Sequence, residues 1–336
     1  MKAPVFLVGT AIVLAASLAT ARDQAIKFGI QTSQEDVTYA EVRDIWKAAE
    51  ALGFYSAWNF DHFMPILGKD TGGPALEGWT MLAALAAETS KIRIGTLVTG
   101  NTYRNPALVA KMAATVDIIS GGRTYLGIGA AWFEEEHTAY GFPFYTARER
   151  AERLEESLQV ITKLFDEDEE RATFNGKYYT LQDAPFAPAS VQKPHPPILI
   201  GGQGRKWIMP LVGRYAQAWN APLRLTPDDV RDRISLFKAE CKRIGREPCD
   251  IEVSAFLVLY KITDVPLAGP VLRFGARFMT DKDIAKNILA GSPQAITEKI
   301  QTFVDAGATH IIMNIQPPYD RKMLERFATE VMPNFQ

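Results

Sequence analysis

Asp61 and His62 are neighbours whose side-chain types could move a proton near neutral pH. An imidazole titrates in that range and serves as acid or base, and the carboxylate beside it could take a structural or substrate-facing place. On position alone the pair reads equally well as two solvated loop residues. Glu134-Glu135-Glu136 reads more simply as the acidic first turn of a helix than as a catalytic cluster, because carboxylates favour a helix amino end. His137 and Tyr140 follow at a spacing that could face inward. Two small-residue turns could approach an anion: Gly127-Ile128-Gly129-Ala130-Ala131 and Gly201-Gly202-Gln203-Gly204-Arg205. Each opens a helix, whose amino end favours negative charge, and Arg205 adds a fixed cation suited to phosphate. Either turn alone reads as a tight loop, whereas the two on neighbouring strands point to a phosphorylated ligand. Trp58, Phe63, Tyr103, Trp132 and Phe133 could line a flat aromatic pocket or fill the core.

Other chemistries are disfavoured. There is no Gly-x-Ser-x-Gly elbow. The cysteines, Cys241 and Cys249, are too few for a disulfide framework or a four-thiolate zinc site. Four histidines leave little for a metal centre, and none is expected. A net charge of −2 gives no footprint for nucleic acid or an anionic membrane.

Short apolar β-rich runs alternate with longer amphipathic segments from Ala25 onward, the pattern of parallel βα units. Eight strands are predicted: Ile26–Gln31, Tyr55–Phe60, Ile92–Val98, Thr124–Gly129, Ile198–Gly201, Ala216–Asn220, Ile251–Leu259 and His310–Ile315. Helical segments follow most of them, including Ala147–Phe165 with an apolar face at Leu154, Leu158, Ile161, Leu164 and Phe165. The expected fold is an α/β (β/α)8 TIM barrel occupying residues 22–336. No Gly-x-Gly-x-x-Gly opens a helix after the first strand, which argues against a dinucleotide-binding sheet.

Insertions are expected after strands 4 and 7. Glu170–Pro197 holds a hairpin turning at Asn175-Gly176, Lys261–Ala290 forms the other, and both could act as lids. Barrel geometry puts His62 and His137 on the catalytic carboxyl rim and His195 and His310 on the opposite one. Only two histidines can then reach one pocket, so a three-histidine zinc site is excluded.

Residues 1–21 carry Lys2, an apolar run from Val5 to Leu18 and small residues Ala19-Thr20-Ala21, a secretory-signal pattern. A functional leader implies an exported, periplasmic protein, and otherwise a cytoplasmic one. An oxidising compartment would allow Cys241 and Cys249 to pair, and their spacing fits two reduced thiols equally well.

Several stretches together resemble the luciferase-like monooxygenase superfamily, in particular its coenzyme F420-dependent branch. They are Trp58-Asn59-Phe60-Asp61-His62-Phe63, Gly95-Thr96-Leu97-Val98-Thr99 with Tyr103-Arg104-Asn105-Pro106, and Ile119-Ser120-Gly121-Gly122-Arg123 leading to Gly127-Ile128-Gly129. Trp132 to His137, Pro197 to Gly202, and Gly291-Ser292-Pro293 with Asp305-Ala306-Gly307 complete the set.

The resemblance implies a barrel that seats an isoalloxazine-type ring at its carboxyl rim. His62 then inherits a proton-relay role and Asp61 a cofactor-side position. Leu97-Val98 falls where the family has a bulge, often with a non-prolyl cis peptide, that backs the ring. Gly129, Ala130 and Ala131, and Gly201, Gly202, Gln203, Gly204 and Arg205, match segments that hold the cofactor tail and phosphate. Phe63, Trp132 and His137 would face substrate. Two departures stand out: Trp132 occupies the place of the catalytic Glu of the branch's sugar-phosphate dehydrogenases, and Ala130 that of the flavin-phosphate Arg of bacterial luciferases.

The implied activity is F420-dependent hydride transfer to or from a small organic substrate, by an enzyme that could be a homodimer. An FMN-dependent monooxygenase is the alternative cofactor reading, and a non-catalytic ligand-binding barrel the alternative of another class.

Overall fold

The computed structural model describes residues 25–66, 71–265 and 285–336. The leader segment lies outside them, as does most of the second insertion.

The chain builds a closed barrel. Its strands are β1 (Lys27–Thr32), β2 (Ser56–Asn59), β3 (Arg93–Thr96), β5 (Thr124–Gly129), β8 (Ile198–Gly201), β9 (Ala218–Ala221), β10 (Glu252–Ile262) and β12 (His310–Ile315). They pair in parallel in that order, and β12 returns to β1. All eight predicted strands are present, at the expected places and nearly the expected lengths. β4 (Thr99–Gly100) continues β3 beyond a break at Leu97-Val98, and the short strand β11 (Ile288–Gly291), which was not predicted, adds to the outer edge of β10.

Inside the barrel, Trp58, Tyr125, Leu199, Ala218 and Ile312 pack as a layer. Below them, toward the strands' amino ends, sits a polar floor. The His310 ring meets Ser56 Oγ at 2.8 Å through Nε2 and Glu252 Oε1 at 3.0 Å through Nδ1, and Lys27 Nζ donates to Glu252 Oε2 at 2.6 Å. His195 stacks on Phe165, ring centroids 5.3 Å apart. Both histidines therefore lie away from the carboxyl rim, as expected.

The helical shell follows from local sequence. Helix α1 (Tyr39–Ala51) opens with a Thr38/Glu41 capping box. Next come α2 (Gly78–Glu88), α3 (Pro106–Ser120), α4 (Glu134–Ala139) and α5 (Ala147–Phe165). The predicted face of α5 is buried along its whole length. Beyond it run α6 (Met209–Tyr215), α7 (Pro227–Arg243), α8 (Pro293–Val304) and α9 (Arg321–Arg326). Cys241, near the end of α7, is joined to Cys249 by a disulfide with the Cα atoms 5.8 Å apart.

One expectation fails. The hairpin β6 (Arg171–Asn175) and β7 (Thr180–Pro185) is not a lid. Its turn is tied to the outer flank of α5, where the Glu156 carboxylate accepts the amides of Lys177, Tyr178 and Tyr179 at 2.8 to 3.1 Å. Glu152 there accepts the Tyr178 hydroxyl at 2.6 Å. Carboxylates on that helix face satisfy the turn's amides, and this holds the hairpin against the barrel wall. Of the Lys261–Ala290 insertion, residues 266–284 lie outside the described residues.

Candidate active site

Four consecutive strands of the carboxyl rim carry the singled-out residues. His62 follows β2, Leu97-Val98 follows β3, Gly129 ends β5 and Gly201 ends β8. The Leu97-Val98 peptide is cis. The Val98 side chain lies against the next two strands, β5 and β8. A Cβ on Gly129 would come within 2.8 Å of it, and a Cβ on Gly201 within 2.9 Å, closer than side chains pack. These two glycines thus make room for the bulge, and the two turns they open lie side by side.

Beyond Gly129 and Gly201 the backbone turns outward with free donors. Ala131 holds φ at 59° and Gly202 at 132°. The amides of Ala130, Ala131, Gln203, Gly204 and Arg205 find no acceptor among the described residues. Successive unpaired amides at a turn form an anion-binding concavity. Buried polar atoms at the ends of the first three strands also lack partners: Ser33 Oγ, Asn59 Oδ1 and Thr96 Oγ1. Rim donors and acceptors without partners fit a polar, phosphate-bearing cofactor. Arg205 is an exposed side chain paired with Asp232, so its cation reaches an anion only by leaving that partner.

His62 sits in an aromatic frame. Phe60, Trp132 and Phe133 meet its ring edge to face at 5.1, 5.7 and 6.0 Å. Its Nδ1 is 2.9 Å from Glu136 Oε2, and its Nε2 makes no hydrogen bond among the described residues. Phe63 packs on Tyr103 at 4.9 Å and on Tyr140 at 5.3 Å. Trp132 is half exposed, stacks on Phe133 and forms an open wall beside His62.

Two expected residues sit deeper than the sequence implied. Asp61 is buried beneath the rim: its Oδ2 accepts from Arg104 Nη1 at 2.5 Å and from the Gly100 amide at 3.0 Å. Burial pushes its carboxyl up, while Arg104 and that amide oppose the shift. Arg104 also holds Glu77 at 2.6 Å, the residue capping α2. Asp61 is a strut joining the β2 and β4 loops through Oδ2, and its buried Oδ1 has no partner among the described residues.

His137 has no exposed surface. Its Nδ1 bonds the Phe133 carbonyl at 2.6 Å and its Nε2 the Thr102 hydroxyl at 2.7 Å, so it cannot face substrate. Burial lowers its pKa, against the Phe133 carbonyl bond, which raises it.

Glu136 is the residue that sequence reasoning missed. It is fully buried and takes three donors, His62 Nδ1, the Tyr103 hydroxyl at 2.5 Å and the Phe63 amide at 2.5 Å. Burial pushes its carboxyl up, but those hydrogen bonds outweigh it and hold it below the ordinary carboxylate range. A usable signal was present: Phe133, Glu136, His137 and Tyr140 recur at i, i+3, i+4 and i+7, a single helical face.

Known proteins similar to this chain include F420-dependent enzymes and monooxygenases, one of the latter in complex with FMN. The family model described as luciferase-like monooxygenase matches residues 20–261. An F420-dependent glucose-6-phosphate dehydrogenase of Kineococcus radiotolerans is 29% identical, covering 92% of this chain and 97% of its own. An F420-dependent hydroxymycolic acid dehydrogenase of Mycobacterium tuberculosis is 30% identical, covering 78% and 75%. Among solved structures, an F420-dependent secondary alcohol dehydrogenase in complex with an F420-acetone adduct superposes with a TM-score of 0.79. It is 22% identical and covers 93% of this chain and 99% of its own.

Proposed function

This chain belongs to the luciferase-like monooxygenase family, and from that premise we propose that it is a coenzyme F420-dependent oxidoreductase acting on a small organic alcohol or carbonyl compound. The observation that carries the reading is the convergence of His62, the Leu97-Val98 bulge and the two donor-rich turns on four consecutive strands. The F420-dependent relatives support it.

When bound, the deazaflavin supplies the carbon that accepts or returns a hydride. The chain supplies position and proton handling. Val98 backs the ring, and the amides of Ala130 and Ala131 with those of Gln203 to Arg205 receive the phosphate-bearing tail. His62 Nε2, the ring nitrogen without a hydrogen bond among the described residues, takes the proton from a substrate hydroxyl or returns it to a carbonyl oxygen. Trp132 and Phe63 give the substrate an apolar wall. Trp132 at the end of β5, in place of a carboxylate, favours a substrate whose proton is handled by His62 alone.

A homodimer is part of this reading. Leu108, Ile118 and Ile119 are exposed on α3, and exposed apolar residues on one helix suit subunit contact. Export is also part of it: residues 1–21 have the leader pattern, and the Cys241–Cys249 bridge suits an oxidising compartment.

Titrating the purified protein with F420 and with FMN, while following each cofactor's absorbance and fluorescence, tests the assignment. Saturable perturbation of F420 with weak or no response to FMN supports it. Tight FMN binding with no response to F420 overturns it in favour of the monooxygenase reading.

A further inference from the structure

Glu136 has no exposed surface, yet it satisfies three donors from two separate loops. A carboxylate only accepts hydrogen bonds. The Tyr103 hydroxyl and the Phe63 amide donate to it, and so must His62 Nδ1, across 2.9 Å. A neutral imidazole has one N–H. If Nδ1 carries it, Nε2 presents a lone pair toward the pocket. Phe60, Trp132 and Phe133 pack edge to face around the ring, and a 180° turn would put a carbon in place of Nδ1 and lose the bond to Glu136.

We propose that Glu136 is a positioning residue that locks His62 in its Nδ1–H tautomer, leaving Nε2 as the working base. The inference rests on the reading of His62 as the proton-handling group. In the oxidative direction the substrate's C–H electron pair leaves as hydride to the bound deazaflavin. The hydroxyl proton passes to Nε2, the carbonyl forms, and the resulting imidazolium faces the Glu136 carboxylate. The reverse direction returns that proton to the carbonyl oxygen. Glu136→Gln breaks this arrangement for a stated reason. Its amide has one oxygen, and the fixed Phe63 N–H claims it, so the amide N–H faces His62 Nδ1, which must then accept.

The test is read on cofactor-free protein. Long-range proton–nitrogen NMR of protein labelled with ¹⁵N-histidine reports which ring nitrogen is protonated, and the signals lost in His62→Gln assign the ring. In the wild-type protein the neutral His62 ring is expected to carry its proton on Nδ1, and Tyr103→Phe is expected to keep it there. Glu136→Gln is expected to move the population toward Nε2–H, and with F420 to lower kcat by about tenfold or more with little change in cofactor affinity. A wild-type ring protonated on Nε2, or a tautomer unchanged in Glu136→Gln, overturns the proposal. Should Glu136→Gln not fold, the wild-type and Tyr103→Phe spectra decide it. Failure of F420 binding would sink the redox reading and leave the tautomer result standing, so the two are separable.

Discussion

A buried carboxylate keeps its charge only when donors replace the water it has lost. Two such groups frame this site, and they do different work. Asp61 is held by Arg104 and the Gly100 amide and ties loops together, whereas Glu136 is held by His62, Tyr103 and the Phe63 amide and sets an imidazole. His62→Ala removes the proton-handling group and leaves the turns intact. Its turnover with F420 should fall by about 10²–10⁴-fold, while the F420 dissociation constant from fluorescence titration stays near that of the wild type. Equal turnover would remove His62 from the mechanism. Arg104→Leu leaves Asp61 buried without its cation and should cost about 3–5 kcal/mol in urea unfolding. The place of His62 on the carboxyl rim was legible because an Asp-His pair stood at a strand's carboxyl end. Glu136 was not, because three consecutive glutamates look alike until the helix face is known. The burial of Asp61 against Arg104 was not legible, because sequence adjacency says nothing about which of two side chains points inward.

At the scale of elements, position depends on how strands end. β3 breaks at Leu97-Val98, and Val98 then needs space that only glycine at 129 and 201 provides. Gly201→Ala is expected to push Val98 toward the ring site. Overpacking of this kind costs about 1–3 kcal/mol, and F420 affinity should drop by about tenfold; an unchanged dissociation constant would show that the bulge does not back the ring. The eight strands could be read in advance because each is a short β-rich run followed by a helical period, as at Thr124–Gly129 and Ala147–Phe165. β11 escaped because the four residues Ile288–Gly291 carry too little pattern. The hairpin's place on α5 escaped because it is set by Glu152 and Glu156, whose partners lie more than twenty residues away.

For the whole molecule, the barrel divides labour between its ends. The carboxyl rim keeps unpaired donors and an open imidazole, while the amino-end floor is fully bonded through Lys27, Glu252, His310 and Ser56. Burial pushes Glu252 up, but His310 and Lys27 outweigh it and pull its pKa down to about 2 from an ordinary 4.5. A depressed carboxylate binds fewer protons in the folded state, so its contribution is complete above about pH 4.5 and is lost as the pH falls toward 2. That contribution is on the order of 3 kcal/mol. Denaturant unfolding measured across this window should show stability falling with acid, and Glu252→Gln should flatten the slope.

The account's central claim is spatial: one rim seats the deazaflavin and turns its reactive carbon to His62. A crystal structure of the protein with F420 bound tests it most directly. The ring is expected against Val98, the phosphate on the amides of residues 130–131 or 203–205, and His62 Nε2 facing the ring's hydride-accepting carbon. A ring bound elsewhere, or a His62 turned away from it, would contradict the account.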